Sequence, residues 1–340
     1  MDQTQKLGVD DREIHAITSL FWEEPVTILK TINTSHGEQD FRETVFVQTE
    51  SGNPFVIKLA DNDFTFADRI RMWQRCSADY RSIGYYAPAI LSAKTGDFPT
   101  VRYKGHNCVA YAEEFSRYTC ADESGSGISS SKYQDEILTM TAKIAGLYSG
   151  YAEFPSGYCL FALFSPSDEN DEVLDNALEW KRYAETLPPV FQPQIQRIWN
   201  LWQKNRCELE RIYHQLPTSI FQADLNSSNI LVDENGSFVG VYDFNLSGRD
   251  VLLNYLIREI GWNDDEKELE IIKSSIKTVG RVYDFSSLEK QAAPLLYRCI
   301  KPLWYTKIQR LKKAENDHAA IQACLAQTEF MLTRPINFFS

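Results

Sequence analysis

Over the first hundred or so residues, short β-branched and apolar runs alternate with polar turns, and beyond them the spacing becomes helical. Residues 25–32 are rich in Val, Thr and Ile, and a polar loop, 33–38, follows them. Residues 44–48 resume the strand pattern, 50–53 turn the chain, and 54–59 return, which predicts a small antiparallel meander. Residues 66–82 read as a helix, with Phe66, Ile70, Met72 and Trp73 gathered to one side; Gly84 and Pro88 end it. Two further strands are expected at 101–103 and 108–112, joined through 104–107. The expectation is a five-stranded sheet with one helix over residues 1–115, and a mainly helical part over 116–340. The Ser/Gly stretch at 124–127 marks the boundary region. The clearest helix spans 194–215, where Ile195, Ile198, Trp199, Trp202, Leu209, Ile212 and Tyr213 repeat at helical spacing and read as core. Residues 165–175, acidic and containing a proline, read as an exposed loop.

Composition narrows the field. With 340 residues, 43% hydrophobic and 24% charged, the chain has the profile of a globular protein with room for two cores. No apolar run approaches the roughly 20 residues of a membrane helix, and the polar start lacks a signal-peptide pattern. A cytoplasmic protein without a membrane partner is therefore expected. The seven cysteines are scattered singly with no CxxC pair, which argues for free thiols rather than zinc or a disulfide framework. A net charge of −12 repels phosphate backbones and disfavours nucleic acid as a partner.

The candidate chemistry concentrates between residues 221 and 245. Asn235-Gly236, set between two aliphatic runs, is a hairpin signal. In an antiparallel hairpin, Asn229 before the first strand and Asp243 after the second arrive at the same end. Asp224 lies five residues ahead of Asn229 on the polar loop leading in. Such a set suits Mg²⁺, a hard cation that takes one or two protein oxygens and fills its other positions with water and phosphate. Asp243 and Asn229 are the candidate ligands, and Asp224 is the candidate base. Each residue alone is an ordinary turn former; the ordered pattern D-x4-N, hairpin, D-F is what carries the reading.

At these residues the chain resembles the aminoglycoside phosphotransferase and choline kinase superfamily, relatives of the protein kinases. The run 222–229 is similar to the family's catalytic loop, and Val241-Tyr242-Asp243-Phe244 is similar to its metal motif. The resemblance implies an α+β, two-lobed protein-kinase-like fold, with a small antiparallel-sheet N-lobe, a mainly helical C-lobe and ATP between them. It implies Asp224 as catalytic base and Asn229 and Asp243 as Mg²⁺ ligands. It places Lys58, in the apolar strand 55–59, on the ATP phosphates, and the stretch containing Glu113 and Phe115 beside the adenine. Three positions depart from the family pattern. Gln222 stands where a histidine is usual, Asn254 replaces a second aspartate, and helix 66–82 carries Asp68, Gln74 and Asp79 but no glutamate for Lys58. Gln74 and Asp68 are the alternatives for that partner.

The implied function is transfer of the ATP γ-phosphate to a hydroxyl of a small molecule, the acidic balance leaning slightly towards a cationic acceptor. The alternative is a catalytically inactive nucleotide-binding or scaffolding module, which the replaced histidine and missing helix glutamate leave open. A protein kinase is a weaker reading, because H-R-D, D-F-G and A-P-E segments are all absent from the sequence. His36 and His106 are left unassigned, and the oligomeric state is open.

Overall fold

A computed structural model describes residues 9–37, 39–121, 132–147, 161 and 171–339. The Ser/Gly stretch 124–127 and residues 165–170 lie outside them. The chain divides into two compact units, one formed by residues 1–121 with 229–245 and the other by 122–228 with 246–340.

In chain order the first unit contributes α1 (Val9–Thr18), β1 (Val26–Asn33), β2 (Phe41–Thr49), β3 (Pro54–Asp61), α2 (Ala67–Ser82), β4 (Ile90–Leu91), β5 (Thr100–Tyr103), β6 (His106–Glu114) and β7 (Thr119–Cys120). The second contributes α3 (Gln134–Leu147), α4 (Glu172–Ala184), α5 (Gln192–Tyr213) and β8 (Thr218–Phe221). The chain returns to the first unit for β9 (Ile230–Val232) and β10 (Phe238–Val241). It ends in the second with β11 (Gly248–Val251), α6 (Leu252–Glu259), α7 (Asp265–Val279), α8 (Ser287–Ile300), α9 (Tyr305–Lys313) and α10 (His318–Thr333). The fold is therefore α+β and kinase-like, with an antiparallel sheet in the N-terminal part and helices dominating the C-terminal part.

The sheet runs β1-β2-β3-β6-β4, with β5 also pairing with β6, all antiparallel. It has six strands rather than the five expected, because β4 is only two residues long and gives no periodic signal. It also has a second helix, α1, whose Ile14 and Ile17 pack with Val45, Val47, Ile57, Leu59, Ala110 and Ala112 in one buried cluster. Strand alternation puts Lys58, Tyr111 and Glu113 on the opposite face. There Trp73 of α2 meets Tyr111, their ring centroids 5.9 Å apart. Lys104 and Gly105, both with positive φ, form the two-residue turn that closes β5 on β6, a shorter loop than expected.

Of the segment 165–175 expected as a loop, the described residues 171–175 are instead a helix start. Asp171 accepts a hydrogen bond from the Leu174 amide at 2.8 Å and caps α4, and Glu172 and Asp175 lie in the first turn, where acids suit the helix dipole.

The hairpin of β9 and β10 joins the first unit through a close backbone approach. The Tyr86 amide donates to Val239 O at 2.8 Å, and the Val241 amide donates to Tyr86 O at 3.0 Å. A Cβ on Gly240, between them, would lie 1.9 Å from Tyr86 O. Only glycine admits this approach, and it sets where the hairpin end carrying Asp243 falls. Gly240→Ala is accordingly expected to destabilise the protein by about 3 kcal/mol in urea unfolding, the scale of forced overpacking.

Candidate active site

The hairpin delivers Asn229 and Asp243 to one end, as antiparallel pairing requires. Asn229 closes a short 3-10 turn, Ser227–Asn229, before β9, and its carbonyl accepts from the Tyr242 amide at 3.1 Å. Asp243 follows β10 with φ +61°, one of three non-glycine residues in the left-handed region among those described. Such backbone costs on the order of 1 kcal/mol and persists where surrounding structure fixes it, commonly at functional sites.

Asp243 Oδ1 lies 3.8 Å from Lys58 Nζ, and Glu113 Oε2 lies 3.2 Å from the same nitrogen. Residues from β3, β6 and the hairpin thus meet at one ammonium. Burial works against the Lys58 charge, but Glu113 and Asp243 outweigh it and hold its pKa well above the ordinary lysine value. Burial also pushes the Glu113 carboxyl up, offset in part by Lys58. Neither helix residue considered for Lys58 takes that place. Gln74 donates to Ile90 O at 2.8 Å, and Asp68 accepts from Arg71 at 2.6 Å. Glu113 is in β6 itself, diagonal to Lys58 across the β3–β6 ladder. Phe115 follows the strand; its ring is 5.8 Å from that of Phe46, and its amide donates to Pro54 O at 3.3 Å.

Asp224 lies in the second unit, on the loop after β8. Wholly buried Gln222 grips both backbone groups of that residue: its Oε1 accepts from the Asp224 amide at 2.7 Å and its Nε2 donates to the Asp224 carbonyl at 3.1 Å. A side-chain amide can do both at once. The Asn226 amide donates to Asp224 Oδ1 at 2.8 Å and its own oxygen accepts from the Ser228 amide at 2.9 Å. Arg258 of α6, missed in the sequence, donates to Ala223 O at 3.0 Å and pairs with Glu259 and, at 3.7 Å, with Glu172. Those two carboxylates outweigh the burial that opposes the guanidinium charge and raise the Arg258 pKa, while burial raises the Glu259 carboxyl. Buried Asn254 donates to Asp250 Oδ1 at 2.7 Å and to the Tyr213 hydroxyl at 2.6 Å, bracing β11, which pairs with β8.

Within this unit a cavity of about 990 Å³ opens on Asp224 and is lined also by Glu259, Trp262, Trp304, Tyr305 and Gln309. At its wall and behind it lies a buried charge network. Lys307 Nζ is 2.6 Å from Asp265 and 3.2 Å from Glu268, and Lys301 is 3.4 Å from Glu268.

The family is set by sequence. Residues 32–253 match the model of the phosphotransferase enzyme family, and the chain belongs to that family. No curated protein matches it by sequence. Among solved structures it is similar to a microcompartment-associated aminopropanol kinase, at 12% identity over 94% of both chains with a TM-score of 0.54. It is similar also to an aminoglycoside phosphotransferase from Alicyclobacillus acidocaldarius, at 12% identity over 93% of this chain and 95% of that one, TM-score 0.50. An amicoumacin kinase in complex with AMP-PNP, Ca²⁺ and Ami matches at 13% identity over 97% and 96%, TM-score 0.50. These likenesses establish the fold. No described helix is long and apolar enough to cross a membrane.

The charge network yields a stability prediction. Burial raises the Asp265 carboxyl, but Lys307 and Arg310 outweigh it and hold it below its ordinary 3.8. Asp265→Asn leaves Lys307 short of a partner and is expected to cost about 3 kcal/mol at pH 7. Because the folded pKa is depressed, the wild-type advantage is present above pH 3.8 and shrinks as pH falls through the folded value. Urea unfolding of both proteins across pH checks this.

Proposed function

We propose that the protein transfers the γ-phosphate of ATP to a hydroxyl group of a small molecule. The observation that carries the reading is the meeting of Lys58 and Asp243, 185 positions apart in sequence, at 3.8 Å, with Asn229 at the same hairpin end. The kinases among the structural relatives, one of them in complex with AMP-PNP, support ATP as donor.

Lys58 holds the nucleotide phosphates, an ammonium suited to a triphosphate and kept charged by its carboxylate neighbours. Asp243 and Asn229 fit Mg²⁺: both present hard oxygen donors, in the small number this ion takes from a protein. Mg²⁺ bound there would neutralise charge on the phosphates. Asp224 accepts the proton of the attacking hydroxyl, with its backbone fixed by Gln222 and its carboxylate oriented by Asn226. Phe115, exposed at the end of β6, is assigned to the nucleotide side.

The cavity beside Asp224 is the proposed acceptor site, large enough for a sugar- or amino-alcohol-sized compound. Its four lining carboxylates, Glu172, Asp224, Glu259 and Glu268, are equalled by four lining cations, Arg258, Lys301, Arg310 and Lys313, so its walls do not repeat the acidic excess of the whole chain. Neutral and cationic acceptors are therefore both in scope. The inactive-module alternative is weakened by Gln222, which supplies a structural grip on Asp224 without a histidine.

ADP release with Mg²⁺-ATP should depend on an acceptor drawn from aminoglycosides, amino alcohols, sugars and nucleosides. Asp224→Asn is expected to lower turnover by about 100-fold or more, the scale of a lost general base, with little change in nucleotide affinity. Acceptor-dependent release that survives the substitution unchanged would remove Asp224 from the mechanism.

A further inference from the structure

The position of Lys58 is set from within the sheet. On the ladder of β3 and β6, Lys58 stands opposite Tyr111, and Val56 stands opposite Glu113. Glu113 is thus the diagonal neighbour on the same face, a spacing long side chains bridge. Six consecutive pairs, Phe55↔Glu114 through Ala60↔Val109, fix the two backbones against each other. Both side chains are largely withdrawn from solvent, Lys58 at 23% and Glu113 at 10% exposure, so the attraction is screened less than at a surface. In α2, which follows β3, Gln74 and Asp68 are directed to Ile90 and Arg71.

The second carboxylate at Lys58 gives Glu113 a specific task. Asp243 is 3.8 Å from the ammonium and Glu113 only 3.2 Å. Were Glu113 neutral, Asp243 would be the closest opposite charge, and the two groups needed for phosphate and metal would neutralise each other. With Glu113 charged, the ammonium is held towards β6.

We propose that Glu113 is a positioning residue that anchors Lys58 from the neighbouring strand and keeps it from collapsing onto Asp243, so that the nucleotide site is set by sheet register and not by α2. This rests on Lys58 being the phosphate-holding group proposed above.

Calorimetric titration with Mg²⁺-ADP tests it on the full chain without any acceptor, using wild type, Glu113→Gln, Lys58→Met, the double variant, Asp68→Asn and Gln74→Ala. Glu113→Gln is expected to weaken binding about tenfold, as does loss of a charged partner for Lys58. The double variant should bind no more weakly than Lys58→Met, within about twofold, because the two side chains act as one unit. Asp68→Asn and Gln74→Ala should stay within about twofold of wild type, the additivity expected of sites without a shared partner. A merely structural role for Glu113 would instead multiply the two single losses. Wild-type affinity in Glu113→Gln, multiplied losses in the double variant, or weakened binding in either helix variant overturns the proposal. If Glu113→Gln fails to fold, Glu113→Asp in the same cycle supplies the result: a shortened reach should weaken binding, again only when Lys58 is present. Absence of Mg²⁺-ADP binding by wild type would overturn the nucleotide-site reading itself, whereas binding that ignores Glu113 overturns only its assigned role.

Discussion

A lysine in the middle of a strand whose other face packs the core is unfavourable unless its charge is met, and much of the first unit is arranged around meeting it. The β3–β6 ladder supplies Glu113 from one side. The hairpin supplies Asp243 from the other, and its place depends on the backbone bonds between Tyr86 and the β10 strand. Gly240 is the one residue that lets those strands come so close. The left-handed backbone at Asp243 belongs to the same constraint, since the chain must turn sharply after β10 to present the carboxylate. Register, close approach and local strain converge on a single ammonium.

The second unit solves a different problem. Asp224 is held on its loop by hydrogen bonds with the uncharged side chains of Gln222, at its backbone, and Asn226, at its carboxylate. Arg258 of α6 donates to Ala223 O and pairs with Glu259 and Glu172. At the cavity wall and behind it, Lys301 and Lys307 are matched by Asp265 and Glu268, so these buried charges are paired. The aromatics Trp262, Trp304 and Tyr305 then give the cavity an apolar component around a polar reacting end.

What was legible in the sequence was local. The Asn-Gly turn dictates the hairpin, and the hairpin dictates that Asn229 and Asp243 share an end; the strand around Lys58 and the long helix α5 follow from periodicities of 2 and 3.6. What was hidden depended on contacts distant in sequence. Glu113 reads as one of two acids after a strand, and only the register of β3 against β6 reveals it as the partner of Lys58. Arg258 sits 34 positions beyond Asp224, on the short helix α6, and only the fold brings it to Ala223 O. The acids at 171–175 read as a loop because capping residues and loop residues are chemically alike, and Asp171 becomes a cap through its bond to Leu174. Gln222 departs from the family's usual histidine, and its amide both donates to and accepts from the Asp224 backbone, a pairing visible only in the fold.

The central claim is that Lys58, Asp243 and Asn229 form a metal-dependent nucleotide site. The most direct measurement is equilibrium binding of AMP-PNP, a non-transferring analogue, with Mg²⁺ and with EDTA in its place. The account predicts saturable 1:1 binding that weakens about tenfold or more without the metal, as expected when a cation bridges carboxylate and phosphate. Equal affinity with and without Mg²⁺, or no binding at all, would contradict it.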